Sequence, residues 1–252
     1  MAPTTTRAWV LANKPQELPS LSGDNPTFKI EEKPLPELKE GQVLVKTKFL
    51  SNDPAQRGWI SPNIAPERLY VPPVQIGEPM RSRGLAEVVA SKSDKLKPGT
   101  MVQGNPNWSE YAVLDASTCN PIVDLPGGLS QSHYLGAFGG TGLTAWYGLV
   151  VIGEAKPEDV VVVSGAAGAT GSMVVQIAKK MIGCKTVIGI AGTDDKCRWV
   201  ESLGADKCLN YKSKDFAAEL TKATPNFCDL YFDNVGGEIV RPPPFLPTFV
   251  TP

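Results

Sequence analysis

Val160-Val161-Val162-Val163-Ser164-Gly165-Ala166-Ala167-Gly168-Ala169-Thr170-Gly171 is the stretch from which the rest of the chain is read. Four valines in succession have the composition of a short strand buried on both faces, as in a parallel sheet flanked by helices. A glycine-rich turn follows. Beyond it Met173, Val174, Ile177, Ala178 and Met181 recur at helical spacing up to Gly183, a C-terminal stop. Strand, tight turn and helix are the opening of a dinucleotide site, in which backbone N–H groups and the positive helix end face a pyrophosphate. The spacing is Ala166-x-Gly168-x-x-Gly171, with alanine where the first of three glycines usually stands. A glycine turn taken alone is weak evidence, and the surrounding strand and helix are what give it weight.

Downstream, strand and helix alternate. A second strand is expected through Thr186-Val187-Ile188-Gly189-Ile190, then a helix from Asp194 or Asp195 to Leu203, stopped by Gly204, with Trp199, Val200 and Leu203 facing inward. A third strand covers Lys207 to Asn210, a helix carries Phe216 and Leu220, and a fourth strand spans Cys228 to Asp233. This alternation means a parallel sheet with right-handed crossovers. After Asn234-Val235-Gly236-Gly237 the chain turns to Arg241-Pro242-Pro243-Pro244-Phe245-Leu246-Pro247, which cannot be helix interior. A six-stranded dinucleotide domain needs on the order of 150 residues. Fewer remain after Val160, so an incomplete sheet with a proline-rich tail over 241–252 is expected.

Upstream, the first 125 residues are β-rich and broken by turns. Val43 to Leu50 has strand composition with partial alternation, Gly84 to Ala90 is another strand, and Pro62, Pro66, Pro72, Pro73 and Pro79 mark an irregular connection between them. Lys97-Pro98-Gly99-Thr100 is a turn leading into Met101-Val102. This half reads as a small irregular β-barrel. Composition shifts around Pro126-Gly127-Gly128, and Ala137 to Ile152 reads as a helix entered through Gly139-Gly140. The expected organisation is α/β, with a barrel domain over 1–125 and a nucleotide domain over 126–240.

With 252 residues, 42% hydrophobic and 20% charged, the chain has the make-up of a globular protein with one large core or two modest ones. A net charge of -1 gives no global attraction to nucleic acid or to an anionic membrane. No apolar run approaches the roughly 18 residues needed to cross a bilayer, and no signal-peptide core precedes Pro15, so a cytoplasmic location is expected. Five widely spaced cysteines, without a Cys-x-x-Cys pair, support neither a disulfide framework nor a four-cysteine zinc site. His133 is the sole histidine. Reduced buried thiols and no metal are expected.

The end of the second strand bears on the cofactor. NAD sites tend to place an acid about 20 positions after the glycine turn, where it bonds a ribose hydroxyl. Here the region is Ala191-Gly192-Thr193, followed by Asp194, Asp195 and Lys196. A lysine suits the 2′-phosphate of NADP, whereas either aspartate suits the hydroxyl. Equally, Asp194 reads as a helix N-cap and Lys196 as a solvated first-turn residue. The pattern alone leaves both cofactors open. Asn234, closing the fourth strand, lies where strand ends line a ligand crevice, and is equally a common turn residue.

Four stretches in this order resemble the zinc-independent medium-chain dehydrogenase/reductases, specifically the prostaglandin reductase, leukotriene B4 dehydrogenase and alkenal double-bond reductase group. They are Ser51-Asn52-Asp53-Pro54-Ala55-Gln56-Arg57-Gly58, Gly140-Thr141-Gly142-Leu143-Thr144-Ala145, Ser164 to Gly171, and Tyr231-Phe232-Asp233-Asn234-Val235-Gly236-Gly237. The resemblance runs from Arg7 to about Ile239. It implies a GroES-like barrel beside a partial Rossmann domain and NADP(H) as cofactor. It places Ala167, Gly168, Ala169, Thr170 and Gly171 at the pyrophosphate, Lys196 and Tyr211 at the 2′-phosphate, and Thr144 and Asn234 near ribose and nicotinamide. It further implies reduction of the carbon–carbon double bond of α,β-unsaturated aldehydes or ketones, with Asn52, Asp53 and Arg57 as substrate-pocket candidates.

Two departures stand out. The group's signature tyrosine is replaced by Ala55, and the family's C-terminal part, with its dimerisation strand, is absent from the sequence. A homodimer is therefore open, and no catalytic acid is assigned. Tyr70, Tyr111 and Arg57 are polar candidates that read more readily as structural. Reduction of quinones or carbonyls stays open, as does a shortened non-catalytic relative that binds cofactor or a partner protein.

Overall fold

The computed structural model describes residues 3–237 and 248–250, the last three as backbone. It divides between Leu135 and Gly136 into two units.

In unit 1, β1 (Thr5–Leu11) pairs antiparallel with β2 (Phe28–Pro34). β3 (Gln42–Leu50) leads through a short helix, α1 (Ala55–Trp59), and an irregular connection with one 3-10 turn at Pro66–Arg68 to β4 (Gly84–Ser91). β5 (Met101–Gly104), β6 (Tyr111–Asp115) and β7 (Asn120–Pro121) complete an antiparallel sheet of order β6-β3-β4-β5-β7. Register shifts between Leu44 and Val45 and between Thr47 and Phe49 bend β3 against β4. Such bulges interrupt the period-2 pattern, which is why the alternation in that strand is only partial. Val43, Val45, Ala86, Val88, Leu96 and Val102 fill one core, and Leu11, Phe28, Ile60, Val74 and Met80 another. Residues 126–135 belong to unit 1 although composition shifts near Leu125. Two 3-10 turns, Pro126–Gly128 and Gln131–Leu135, are tied back by Tyr134 Oη donating to Val123 O (3.2 Å) and Gln103 Nε2 donating to Tyr134 O (3.2 Å).

Unit 2 begins with α2 (Gly140–Trp146), which continues as a π-helical segment over Tyr147–Ile152. Gly142 is forced by packing, since a Cβ there would stand 1.9 Å from Ala137 O. Next come β8 (Val160–Val163), α3 (Ala169–Gln176) with a π-helical end at Ile177–Ile182, and β9 (Thr186–Ala191). α4 (Asp194–Leu203), β10 (Lys207–Asn210), α5 (Phe216–Ala223), β11 (Leu230–Phe232) and β12 (Thr248–Val250) follow. The sheet is parallel, of order β10-β9-β8-β11-β12, so the chain order reverses around β8. Gly183, left-handed at φ 80°, stops the α3 region as its spacing predicts.

Three expectations change. Thr248–Val250, counted with the tail on composition, is a fifth strand, in keeping with the strand preference of Thr, Phe and Val. The proline run 241–247 lies outside the described residues. Trp199 does not face inward but is 47% exposed. The buried stripe of α4 runs through Cys197 and Val200, three positions apart, with Leu203 half-buried, and Trp199 falls beside that stripe. Asp194 is not the N-cap of α4: Thr193 is, its hydroxyl accepting from Lys196 N at 3.3 Å.

At the amino ends of the strands, Lys179 Nζ donates to Asp206 (2.8 Å) and to the carbonyls of Cys184 (3.4 Å) and Lys185 (3.3 Å). Asp206 Oδ2 also accepts from Val187 N at 2.7 Å, so one lysine and one aspartate join the α3 region to the starts of β9 and β10.

Candidate functional site

The carboxyl ends of β8, β9, β10 and β11 bring most of the sequence-predicted residues of unit 2 together. At the end of β8 the chain turns back through Gly165, whose φ of 55° is left-handed. Gly165, one place before Ala166, therefore supplies the tight turn, and alanine at 166 costs the motif nothing. Ala166 is fully buried and donates its N–H to Ile190 O at 3.0 Å. Gly171 is the tightest position: a Cβ there would lie 2.4 Å from Gly165 O and 2.8 Å from Ala166 Cα. Its bare backbone lets α3 press against the turn. Gly168 and Ala169 are exposed, Ala167 and Thr170 half-buried, and no side chain caps α3. The first amides of such a helix have no intrahelical carbonyl to meet.

Two residues that sequence reasoning did not single out hold this turn to the end of β11. Ser164 Oγ donates to Asp233 Oδ1 at 2.6 Å and accepts from Asn234 N at 2.8 Å. Asn234 Nδ2 donates to Ser164 O at 2.9 Å, while Val235 N and Gly236 N donate to Asp233 Oδ1 at 3.1 and 3.0 Å. Burial pushes the Asp233 carboxyl up, but the hydrogen bonds from Ser164, Gly236 and Val235 outweigh it and hold the group below the usual carboxylate range. Asn234 is thus pinned by its amide, half-buried, over Gly165, whose would-be Cβ lies 3.3 Å from Asn234 Cβ.

At the ends of β9 and β10, Tyr211 lies across Gly192, a Cβ at which would meet the ring at 3.1 Å. Tyr211 N donates to Ala191 O at 3.0 Å, and Lys212 Nζ stands 5.8 Å from the Tyr211 ring centroid. Asp194 Oδ1 accepts from Asn210 Nδ2 at 2.8 Å, and Asp195 pairs with Arg198. Both acids that could bond a ribose hydroxyl are engaged. Lys196 is exposed, and its ammonium has no partner among the described residues. Thr144 is half-buried within α2, which packs against α3.

In unit 1, Asp53 Oδ1 accepts from Ser51 Oγ at 3.1 Å, and Asp53 N donates to Gln56 Oε1 at 3.0 Å. Buried Gln56 donates Nε2 to Arg81 O at 2.9 Å. Arg57 Nη2 donates to the carbonyls of Pro15 (3.1 Å), Gln16 (3.4 Å) and Glu17 (2.9 Å). Asn52 is exposed. Tyr70 is exposed and edge-on to Trp59, and Tyr111 lies under Lys46 on β6. Among the described residues, no group of three or more His, Cys, Asp or Glu could hold a metal ion, and no helix is long and apolar enough to cross a membrane.

A parallel sheet whose strand order reverses at a glycine turn is the architecture of a dinucleotide-binding domain. Residues 7–122 match the family described as N-terminal domain of oxidoreductase, and residues 169–242 that described as zinc-binding dehydrogenase. NADPH-dependent curcumin reductase of Escherichia coli (strain K12) is 39% identical over 92% of this chain and 64% of its own length. Prostaglandin reductase 1 of Bos taurus is 38% identical over 85% of this chain and 62% of its own. The crystal structure of CurA in complex with NADPH from Vibrio vulnificus superposes with a TM-score of 0.80 at 36% identity, covering 93% of this chain and 66% of that one. The chain belongs to the medium-chain dehydrogenase/reductase family, in the group of the prostaglandin and curcumin reductases. It spans about two thirds or less of the length of these relatives.

Proposed function

We propose that this chain binds NADPH along the carboxyl ends of its parallel sheet and reduces the carbon–carbon double bond of α,β-unsaturated aldehydes or ketones. The observation that carries the cofactor choice is Lys196, exposed and unpartnered while Asp194 and Asp195 are both engaged. A 2′-phosphate there gains a cation, while Arg198 offsets the charge of Asp195. The cradle fits as well: Gly168 and Ala169 are exposed and carry no bulky side chain, and the first amides of α3 lack intrahelical carbonyls, as a pyrophosphate site requires. Tyr211, braced on Gly192, walls the phosphate from the other side, and Thr144 and Asn234 serve the ribose and nicotinamide.

When bound, NADPH supplies a hydride to the β-carbon of the enone, and the resulting enolate takes a proton at the α-carbon. The protein's part is orientation and polarisation rather than covalent chemistry. Asn52, exposed, is proposed at the substrate, whereas Asp53 acts through its bond from Ser51 and Arg57 through the segment it holds at Pro15–Glu17. Five buried, unpaired cysteines suit the reducing cytosol in which such an enzyme would work.

The test is loss of NADPH absorbance with 1-octen-3-one, with NADH as control and the saturated ketone identified by mass spectrometry. Turnover with NADPH well above that with NADH supports the proposal. Turnover with a benzoquinone but not the enone would favour the quinone reading, and tight NADPH binding without turnover the non-catalytic one. Absence of binding would overturn the assignment.

A further inference from the structure

At one rim of the antiparallel sheet β3 and β5 end, and β4 and β7 begin. Leu50 pairs there with Gly84, Gly84 with Gly104, and Gln103 with Asn120. Arg83, Asn105 and Thr118, just outside the strands, line a hollow of about 300 Å³ together with Gln103, Gly104 and Asn120. Gly84 shapes it. A Cβ there would stand 2.8 Å from Pro106 Cγ, so the bare backbone lets the chain after β5 fold over the start of β4.

The lining is rich in donors and holds no carboxylate. Thr118 Oγ1 is spent on Asp115 O (2.8 Å) and Gln103 Nε2 on Tyr134 O (3.2 Å). The side chains of Arg83, Asn105 and Asn120 make no hydrogen bond or ion pair among the described residues. Other arginines of unit 1 are engaged: Arg7 with Glu110, Arg57 with three carbonyls, and Arg81, whose Nη1 donates to Pro72 O at 2.7 Å. An unpaired guanidinium among amides suits a flat anion, because its fork matches the two oxygens of a carboxylate. A phosphate would call for a second cation or a helix N-terminus, and the lining has neither.

The hollow adjoins the loop that carries Asn52. Arg83 O accepts from Ser51 N at 2.9 Å, so the residue before Asn52 is bonded to the backbone of Arg83 itself. Adjacent strands lie about 5 Å apart and each extended residue adds about 3.3 Å, which sets the Arg83 and Asn52 backbones roughly 5–8 Å from each other.

We propose that Arg83, with the amides of Asn105 and Asn120, binds a carboxylate on the substrate, so that the preferred enals and enones are carboxylate-tailed rather than neutral. This rests on the reduction proposed above, with Asn52 at the reacting end. The volume of the hollow is at the lower limit of ligand sites. It takes the acid end of a substrate and not the whole of one. Added salt weakens the selectivity, because the guanidinium is exposed.

The experiment compares 9-oxonon-7-enoic acid, in which a saturated chain holds carboxylate and reacting carbon at that spacing, with its methyl ester. NADPH oxidation is followed for the unaltered chain, Arg83→Gln and Arg83→Lys. Expected is a preference for the acid of about tenfold in kcat/KM at low salt, carried by KM. The ratio should fall to about one in Arg83→Gln and lie between in Arg83→Lys, whose ammonium lacks the fork. Equal use of acid and ester by the unaltered chain, or a preference that survives Arg83→Gln, would overturn the proposal. 1-Octen-3-one checks the underlying reading. If it and both probes go unreduced, the enone reading falls, and calorimetry with nonanedioate decides the hollow alone. Binding that Arg83→Gln abolishes keeps the carboxylate site; no binding, or binding that survives the substitution, removes it.

Discussion

The turn that leaves β8 and the loop that leaves β3 spend their polar groups in opposite ways. After β8, from Gly165 to Gly171, side chains are small or absent, no side chain caps the helix start, and the polar partners Ser164 and Asp233 are buried. After β3, Ser51, Asp53, Gln56 and Arg57 spend their side chains on one another and on the carbonyls of Pro15, Gln16, Glu17 and Arg81. The proposed function has the first segment receive its ligand with the main chain. In the second, the side chains hold the protein's own loops. A polar motif is thus no guide to ligand contact until its hydrogen bonds have been accounted for.

Breaking the first segment should have the largest effect. Gly171→Val places atoms where Gly165 O and Ala166 already lie. NADPH affinity should fall by about a hundredfold or more, with a stability loss of about 2–3 kcal/mol; fluorescence titration and urea unfolding read the two separately. Lys196→Ala sharpens the assignment of that segment's neighbour. NADPH binding should weaken by about tenfold to fiftyfold, the worth of one charge-assisted phosphate contact, while NADH binding stays unchanged. Equal losses for both cofactors would remove Lys196 from the phosphate site.

The second segment should answer differently. Arg57→Ala removes three carbonyl contacts and should cost about 1–2 kcal/mol in urea unfolding, with the NADPH Kd unaltered. The smallest effect is a pH slope. Asp233 titrates lower in the fold than in the unfolded chain, so its stabilisation is complete above the unfolded value, roughly pH 4. It is lost as pH falls through the lower folded value. Asp233→Asn should flatten that acid limb, and retention of the full limb in the variant would remove the carboxylate from the network.

The same contrast accounts for what could be read in advance. In unit 2 the strands and their order in the chain were legible, since buried parallel strands and glycine turns leave a strong local pattern, and β10 falls on Lys207–Asn210 as composition suggests. The Ser164–Asp233 pair was not, because it exists only once β8 and β11 become neighbours in the sheet. Gly165 was passed over for Ala166, since a spacing rule does not say which residue takes the left-handed φ. Trp199 went astray because a bulky apolar residue counts as core in a periodic reading even when it lies beside the buried stripe. In unit 1, bulges and side-chain braces between distant segments replace periodicity, so Arg57 could be noticed but its three acceptors could not.

The clasp of Lys179 and Asp206 has a consequence of its own. It ties the α3 region to the amino ends of the strands, at the rim opposite the one proposed for the cofactor. Alterations there should register as a shift in melting and leave affinity intact, which makes that rim the natural place to toughen the protein without retuning what it holds.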